Sequence, residues 1–280
     1  MVRTTVLIDN VSNRSDLTPE WGLSLLIEFE GRRLLLDTGA SSRFAGNARV
    51  LGADLSAVDM AVLSHAHYDH ANGMEEFFRI NDSAKMFLSP HARENCYHKD
   101  SGENGAHMRY DGITPGWLDR FSDRIVYAGG DVTEISENVF LVPHTTPGLE
   151  KIGEKVGQYV RLGDRYLPDD FSHEQSLVLQ TADGLVICNS CSHGGVDNII
   201  REVQDSFPGR NIISMIGGFH LFLFDEAEVR EQARRMAATG IRQIVTGHCT
   251  GERQYFWLAD ELAGRGVLSS RMECGLVIEY

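Results

Sequence analysis

The segment Ser64-His65-Ala66-His67-Tyr68-Asp69-His70 places three imidazoles and a carboxylate within six consecutive positions. Such side chains bind divalent metal ions, and imidazole with carboxylate suits zinc, iron or manganese. In extended backbone, residues i and i+2 share a face, so His65 and His67 can converge on one ion. Where the chain turns into a helix, Asp69 and His70 can reach a second ion. A solvated loop would rarely gather these types so densely. The cysteines form no thiolate set of the kind that holds a structural zinc.

The elements around this segment read as strands and helices in alternation. The apolar run Met60 to Leu63 is a buried strand that delivers His65 to its end. Earlier, Thr4 to Ile8 and Leu23 to Phe29 read as strands, and a turn at Glu30-Gly31-Arg32 joins the latter to Arg33 to Leu36 as a hairpin. A comparable hairpin recurs at Ser176 to Gln180 and Leu185 to Cys188, across Ala182-Asp183-Gly184. Two hairpins in two halves imply two sheets, each with antiparallel pairs. Ile212 to Ile216, Ile241 to Val245 and Leu276 to Ile278 add strands. Asp225 reads as the cap of a helix that buries Val229, Ala233 and Met236 and stops at Gly240; Thr250 is expected to cap another. This is the pattern of a layered α/β protein. Stretches 95–117 and 144–172, rich in Gly, Pro, His and charge, read as irregular lids or binding loops. No short-period repeat divides the chain, so a single domain over residues 1–280 is expected.

His65-Ala66-His67-Tyr68-Asp69-His70 resembles the H-x-H-x-D-H signature of the metallo-β-lactamase superfamily. That resemblance implies an αββα sandwich, two mixed sheets flanked by helices, with a binuclear metal site between the sheet edges. Asp37-Thr38-Gly39 is similar to the superfamily's D-T-G, whose aspartate orients the site. Later histidines also follow apolar strands: His193 in Cys191-Ser192-His193-Gly194-Gly195, His220 in Gly217-Gly218-Phe219-His220-Leu221 and His248 in Gly247-His248-Cys249-Thr250-Gly251. Because this architecture takes ligands from several strand ends, His193 and His248 are expected to join His65, His67, Asp69 and His70 as metal ligands. His220, flanked by apolar residues, is expected to meet substrate. The three motifs, with Gly22-Leu23-Ser24 and Asn47-Ala48, resemble a branch that includes an archaeal synthase of methanopterin formation, which displaces pyrophosphate. The chain departs from the wider superfamily where a Gly-Asp usually supplies a bridging carboxylate, since Ser190-Cys191 stands there. His193 would replace part of that ligation, while Cys191 is either a ligand or simply buried. His173 is either a ligand or a loop residue. For His91, His98, His107 and His144, surface and substrate-facing roles are both open.

Bulk properties narrow the function. The hydrophobic share of 42% and charged share of 24% are ordinary for a globular protein. The formal net charge of −14 disfavours a nucleic-acid partner, which needs clustered cations. A small and even anionic substrate remains open, because metal ions supply positive charge locally. The N-terminus has no secretory signal pattern and no apolar run nears a membrane span. The five scattered cysteines do not form a disulfide framework, so the cytoplasm is expected. The resulting expectation is a hydrolase of ester, phosphoester or related bonds with two divalent ions, zinc foremost and iron or manganese next. Asp69 would be ligand and proton acceptor, and His220 would position substrate. Three alternatives stand beside it: transfer chemistry that displaces pyrophosphate, an iron redox module on the same scaffold, and a non-catalytic metal sensor.

Overall fold

In the computed structural model, residues 1–102 and 105–280 are described. The first sheet has the strand order Val277–Glu279, Val2–Ile8, Ser24–Phe29, Arg32–Leu36, Met60–Val62, Lys85–Leu88 and Ile125–Tyr127. The second runs Leu268–Arg271, Gln243–Gly247, Ile212–Gly218, Leu185–Cys188, Gln175–Gln180, Val139–Pro143 and Thr133–Ser136. Each is mixed for a local reason. Neighbours joined by tight turns, such as Ser24–Phe29 with Arg32–Leu36, pair antiparallel. Neighbours joined through a helix, such as Leu185–Cys188 and Ile212–Gly218 across Val196–Ser206, pair parallel.

Side-chain alternation assembles the layers. In Ser24–Phe29, the side chains of Leu25, Ile27 and Phe29 enter the core between the two sheets, while Leu26 faces the helices on the other side. In the second sheet, Leu177, Leu179, Val186 and Cys188 enter the same central core, and Val178, Leu185 and Ile187 face the second helical layer. Both faces of each sheet are therefore covered, which explains why these strands read as nearly continuous apolar runs. The result is the expected αββα sandwich. Asp225 caps Glu226–Ala238 through a capping box with Glu228. The expectation for Thr250 is corrected: it lies in a short turn at His248–Thr250, and Gly251 precedes the helix Glu252–Ala263.

The two stretches read as irregular are also corrected. They contribute four strands, Arg165–Pro168, Gln158–Leu162, Cys96–Gly102 and Gly105–Tyr110, which form a third sheet in that order. These strands lack apolar alternation because the sheet leans on cross-strand contacts instead. Tyr97 packs edge-on against Tyr110 and Tyr166, with ring centroids 5.2 and 5.0 Å apart. Among the described residues, no helix is long and apolar enough to cross a membrane.

Candidate metal centre

The chain emerges from the C-terminal ends of the parallel strands of both sheets onto one rim. Met60–Val62 leads to His65, Leu185–Cys188 to Cys191 and His193, Ile212–Gly218 to His220, and Gln243–Gly247 to His248. These turns are sharp. Asp37, Ser192, His220 and His248 have φ values of 60°, 52°, 48° and 47°, a left-handed region costly for side-chain-bearing residues. Glycines permit the close approach: a Cβ at Gly217 would stand 1.4 Å from the Asn189 carbonyl oxygen, and one at Gly22 would stand 2.5 Å from that of Asp69.

Two donor groups meet at this rim. His65, His67 and His193 each present a nitrogen within 4.8 Å of the others, and His65 Nε2 lies 3.3 Å from His193 Nε2. Beside them, Asp69 Oδ2 lies 3.6 Å from His70 Nε2 and 3.5 Å from His248 Nε2. The six residues expected as ligands are thus brought together. Cys191 stands between the groups, with its Sγ 3.2 Å from His70 Nε2 and within 4.8 Å of a His65 nitrogen. It occupies the place between the two groups, where a shared ligand would lie. His220 comes closer than a substrate-facing role requires, since one of its nitrogens lies within 4.8 Å of Cys191 and His193 donors.

A buried hydrogen-bond network fixes which nitrogens face inward. Asp37 accepts from the Ser64 backbone N–H at 2.7 Å, from Ser64 Oγ at 2.7 Å, from His70 Nδ1 at 2.8 Å and from Ser190 Oγ. Ser64 Oγ, having donated to Asp37, accepts from His65 Nδ1 at 2.7 Å. His248 Nδ1 donates to Asn10 Oδ1 at 2.9 Å. In all three histidines Nε2 is left with its lone pair toward the centre, the tautomer a metal ligand needs.

The electrostatics fit a cation. Burial first, and then the neighbouring imidazoles, push His65 and His193 well below the ordinary histidine value. Burial works to raise Asp69, but His70 and His248 outweigh it and hold the carboxyl below its usual range. Burial and the adjacent Cys249 raise the Cys191 thiol well above its ordinary value. His67 Nε2, His193 Nδ1 and His248 Nε2 are buried without any hydrogen-bond partner. A buried imidazole nitrogen left without a hydrogen bond beside a carboxylate, as His248 Nε2 is beside Asp69, is a poor arrangement unless a positive ion sits between them.

A cavity of about 290 Å³ opens above these residues. Trp21, Tyr68, His98, Arg109, Asp111 and Phe222 are among the other residues that line it. His98, Arg109 and Asp111 come from the third sheet or its edge, so the stretches expected to reach the site do so as strands. Their pattern gave no signal of this, because their side chains are spent on cross-strand pairs. Of the remaining histidines, His91 is exposed and the His107 side chain is 68% exposed. His144 is neither surface nor substrate-facing: its side chain is 2% exposed, held between Glu174 at 3.0 Å and Glu202 at 2.8 Å. His173 is also buried but lies behind His67, where Nδ1 accepts from the Ala66 N–H and Nε2 faces Asp169.

Comparison with known proteins agrees with this geometry. The profile of the metallo-β-lactamase superfamily matches residues 17–176. The solved structure of Tm1679, described as a metal-dependent hydrolase of the β-lactamase superfamily, superposes with a TM-score of 0.83 at 30% identity, covering 100% of this chain and 99% of that one. The 7,8-dihydropterin-6-methyl-4-(β-D-ribofuranosyl)-aminobenzene-5'-phosphate synthase of Methanocaldococcus jannaschii is 26% identical over 267 residues, 88% of this chain and 86% of the synthase. The anti-Pycsar protein Apyc1 of Saccharibacillus brassicae is 26% identical over 188 residues, 66% of this chain and 71% of its own. With the H-x-H-x-D-H segment, the αββα sandwich and the profile match in agreement, this chain belongs to the metallo-β-lactamase superfamily.

Proposed function

We propose that the protein is a hydrolase that holds two divalent ions and cleaves an ester, phosphoester or related bond of a small molecule. The observation that carries this reading is the meeting of two donor groups at Cys191 on the floor of a cavity. His65, His67 and His193 would hold one ion and Asp69, His70 and His248 the other, with Cys191 reaching both. Imidazole with a thiolate favours zinc, with iron next and manganese last. Ions bound there would supply Lewis acidity and a water acidic enough to ionise near neutral pH.

The chain's own groups do the rest. Asp69, kept ionised by His70 and His248, faces the cavity and is placed to accept a proton from the attacking group. Trp21 and Phe222 form an apolar wall, and Arg109 offers the cavity a guanidinium. His220 presents its ring between His193 and Phe222, with centroid distances of 4.3 and 5.1 Å. There it would hold substrate against that wall.

A second reading rests on the match to the Methanocaldococcus synthase across most of both chains. In a transferase, an organic nucleophile would replace water in the same cavity and pyrophosphate would leave. Zinc-loaded protein should be assayed with phosphomonoesters, cyclic and linear phosphodiesters, lactones and carboxylic esters in ¹⁸O-water, and in parallel with the pterin and aminobenzene substrates. The hydrolase reading expects label in a product, with turnover falling about 100-fold or more in Asp69→Asn. Pyrophosphate release with carbon–carbon or carbon–nitrogen joining and no label would establish the transferase reading instead. Absence of turnover across the panel with zinc, iron and manganese in turn would contradict the hydrolase.

A further inference from the structure

A second cavity, of about 400 Å³, adjoins the one above the metal centre, and the two share Val156, His193 and His220 as lining residues. It lies where the helices Glu150–Val156, Val196–Ser206 and Glu226–Ala238 meet the loop 219–224. Ile152, Val196, Phe219, Leu221 and Phe224 give it apolar walls. Its size and lining are those of a pocket for a small organic group.

The charged and polar side chains around this cavity are already engaged with the protein. Asp197 accepts from Gln232 Nε2 at 2.6 Å and pairs with Arg235 Nε at 3.3 Å, while Gln232 Oε1 accepts from Arg235. Lys155 Nζ pairs with Glu228 at 2.8 Å. Ser192 Oγ donates to the Gly218 carbonyl at 2.9 Å, and Asn198 Nδ2 to that of Gly194 at 2.8 Å. Asp197, in the first turn of its helix, also supplies the negative charge that a helix N-terminus favours. An ionic ligand group would have to break an existing pair here, whereas a hydrocarbon would gain by leaving water. His193 and His220 are the exceptions, each keeping a buried Nδ1 without a hydrogen-bond partner. They are also residues that the two cavities share, so the polar demand falls at the junction and the apolar space lies beyond it.

We propose that this second cavity is a subsite for a neutral hydrocarbon arm, which makes the substrate an amphipathic ester or phosphoester. Its reacting group lies over the donor groups of the first cavity, its polar atoms meet His220 at the junction, and the arm runs between Ile152, Phe219 and Phe224. The placement of the reacting group rests on the hydrolase reading and narrows its substrate class; the subsite for the arm does not depend on it.

The test uses linear alkylphosphonates, methyl to octyl, whose binding to zinc-loaded and zinc-free protein is followed by calorimetry. These probes carry a metal-seeking head and no ester bond to cleave. Affinity for zinc-loaded wild type is expected to rise about 3- to 4-fold with each added methylene and to level off once the cavity is filled. Ile152→Trp, which fills the cavity from a partly buried position, is expected to weaken octylphosphonate at least about 10-fold and to leave methylphosphonate unchanged. No gain with chain length in wild type overturns the proposal. So does the same gain in Ile152→Trp, which would place the chain along Trp21 and Phe222 instead. Should Ile152→Trp not fold, a crystal of wild type with octylphosphonate decides: chain density against Phe219 and Phe224 supports the subsite, and density along Trp21, or none, overturns it. A chain-length gain that is equal with and without zinc, with no effect of zinc on methylphosphonate, leaves the subsite standing and counts against the binuclear reading. Zinc-dependent binding of methylphosphonate with no chain-length gain does the reverse.

Discussion

His248 and His220 stand at the ends of neighbouring strands, both in left-handed backbone, yet their surroundings assign them different work. The Nδ1 of His248 is tied to Asn10, and its Nε2 stands 3.5 Å from Asp69 Oδ2 with no other partner. His220 Nδ1 has no partner at all, and the ring leans on Phe222 at the cavity edge. His248→Ala should therefore lose one metal equivalent and at least about 100-fold in turnover. His220→Ala should keep both ions of the binuclear pair and lose turnover or substrate affinity. Metal content of the two variants measured side by side checks this, and loss of an ion from His220→Ala alone would reverse the two roles. The spacing of His65, His67, Asp69 and His70 was legible because it is local: an extended strand end dictates which side chains share a face. Whether Cys191 is a ligand or simply buried was left open, since its 3.2 Å approach to His70 arises only when the two sheets pack. His173 was ambiguous for the same reason; its partners Cys96 and Asp169 reach it through a sheet whose pattern was unreadable.

At the scale of elements, the loop carrying His193 depends on a buried charge cluster. His144 bridges Glu174 and Glu202, Glu174 accepts from the backbone N–H groups of His193 and Gly194, and Glu202 anchors Thr145 and Thr146 from the helix Val196–Ser206. Burial works against charging His144, but Glu174 and Glu202 outweigh it and raise it to about 10. A histidine raised in the folded state contributes stability that is complete below its ordinary value near 6.5 and is lost as pH climbs toward 10. Thermal unfolding should show wild type more stable than His144→Gln by a few kcal/mol at pH 6, with the gap closing toward pH 10. Parallel pH curves for the two proteins would refute this role. The sequence left His144 open because neither glutamate is near it in the chain. The main strands and the capped helix at Asp225 were legible because both faces of each sheet are buried and the cap is local chemistry. The third sheet was not, because cross-strand tyrosines and ion pairs such as Arg109 with Asp100 stabilise it in place of alternating apolar residues.

Over the whole molecule, two sheets share one core and turn their parallel strands' ends to the same rim, which concentrates imidazoles, carboxylates and thiols in an acidic chain of net charge −14. The layered α/β class followed from hairpins and strand–helix alternation, and the resemblance of one short motif supplied the arrangement of the layers. What concentrates the donors also makes the arrangement costly without cations, since buried nitrogens face one another at distances such as 3.3 Å. The central claim is that two ions occupy this rim, and anomalous diffraction at the zinc edge on crystals of the zinc-equilibrated chain tests it most directly. Two peaks about 3.5–4 Å apart are predicted, one bounded by His65, His67 and His193 and the other by Asp69, His70 and His248, with Cys191 Sγ reaching both. A map with no anomalous density among these residues, after zinc, iron and manganese have each been offered, would contradict the account.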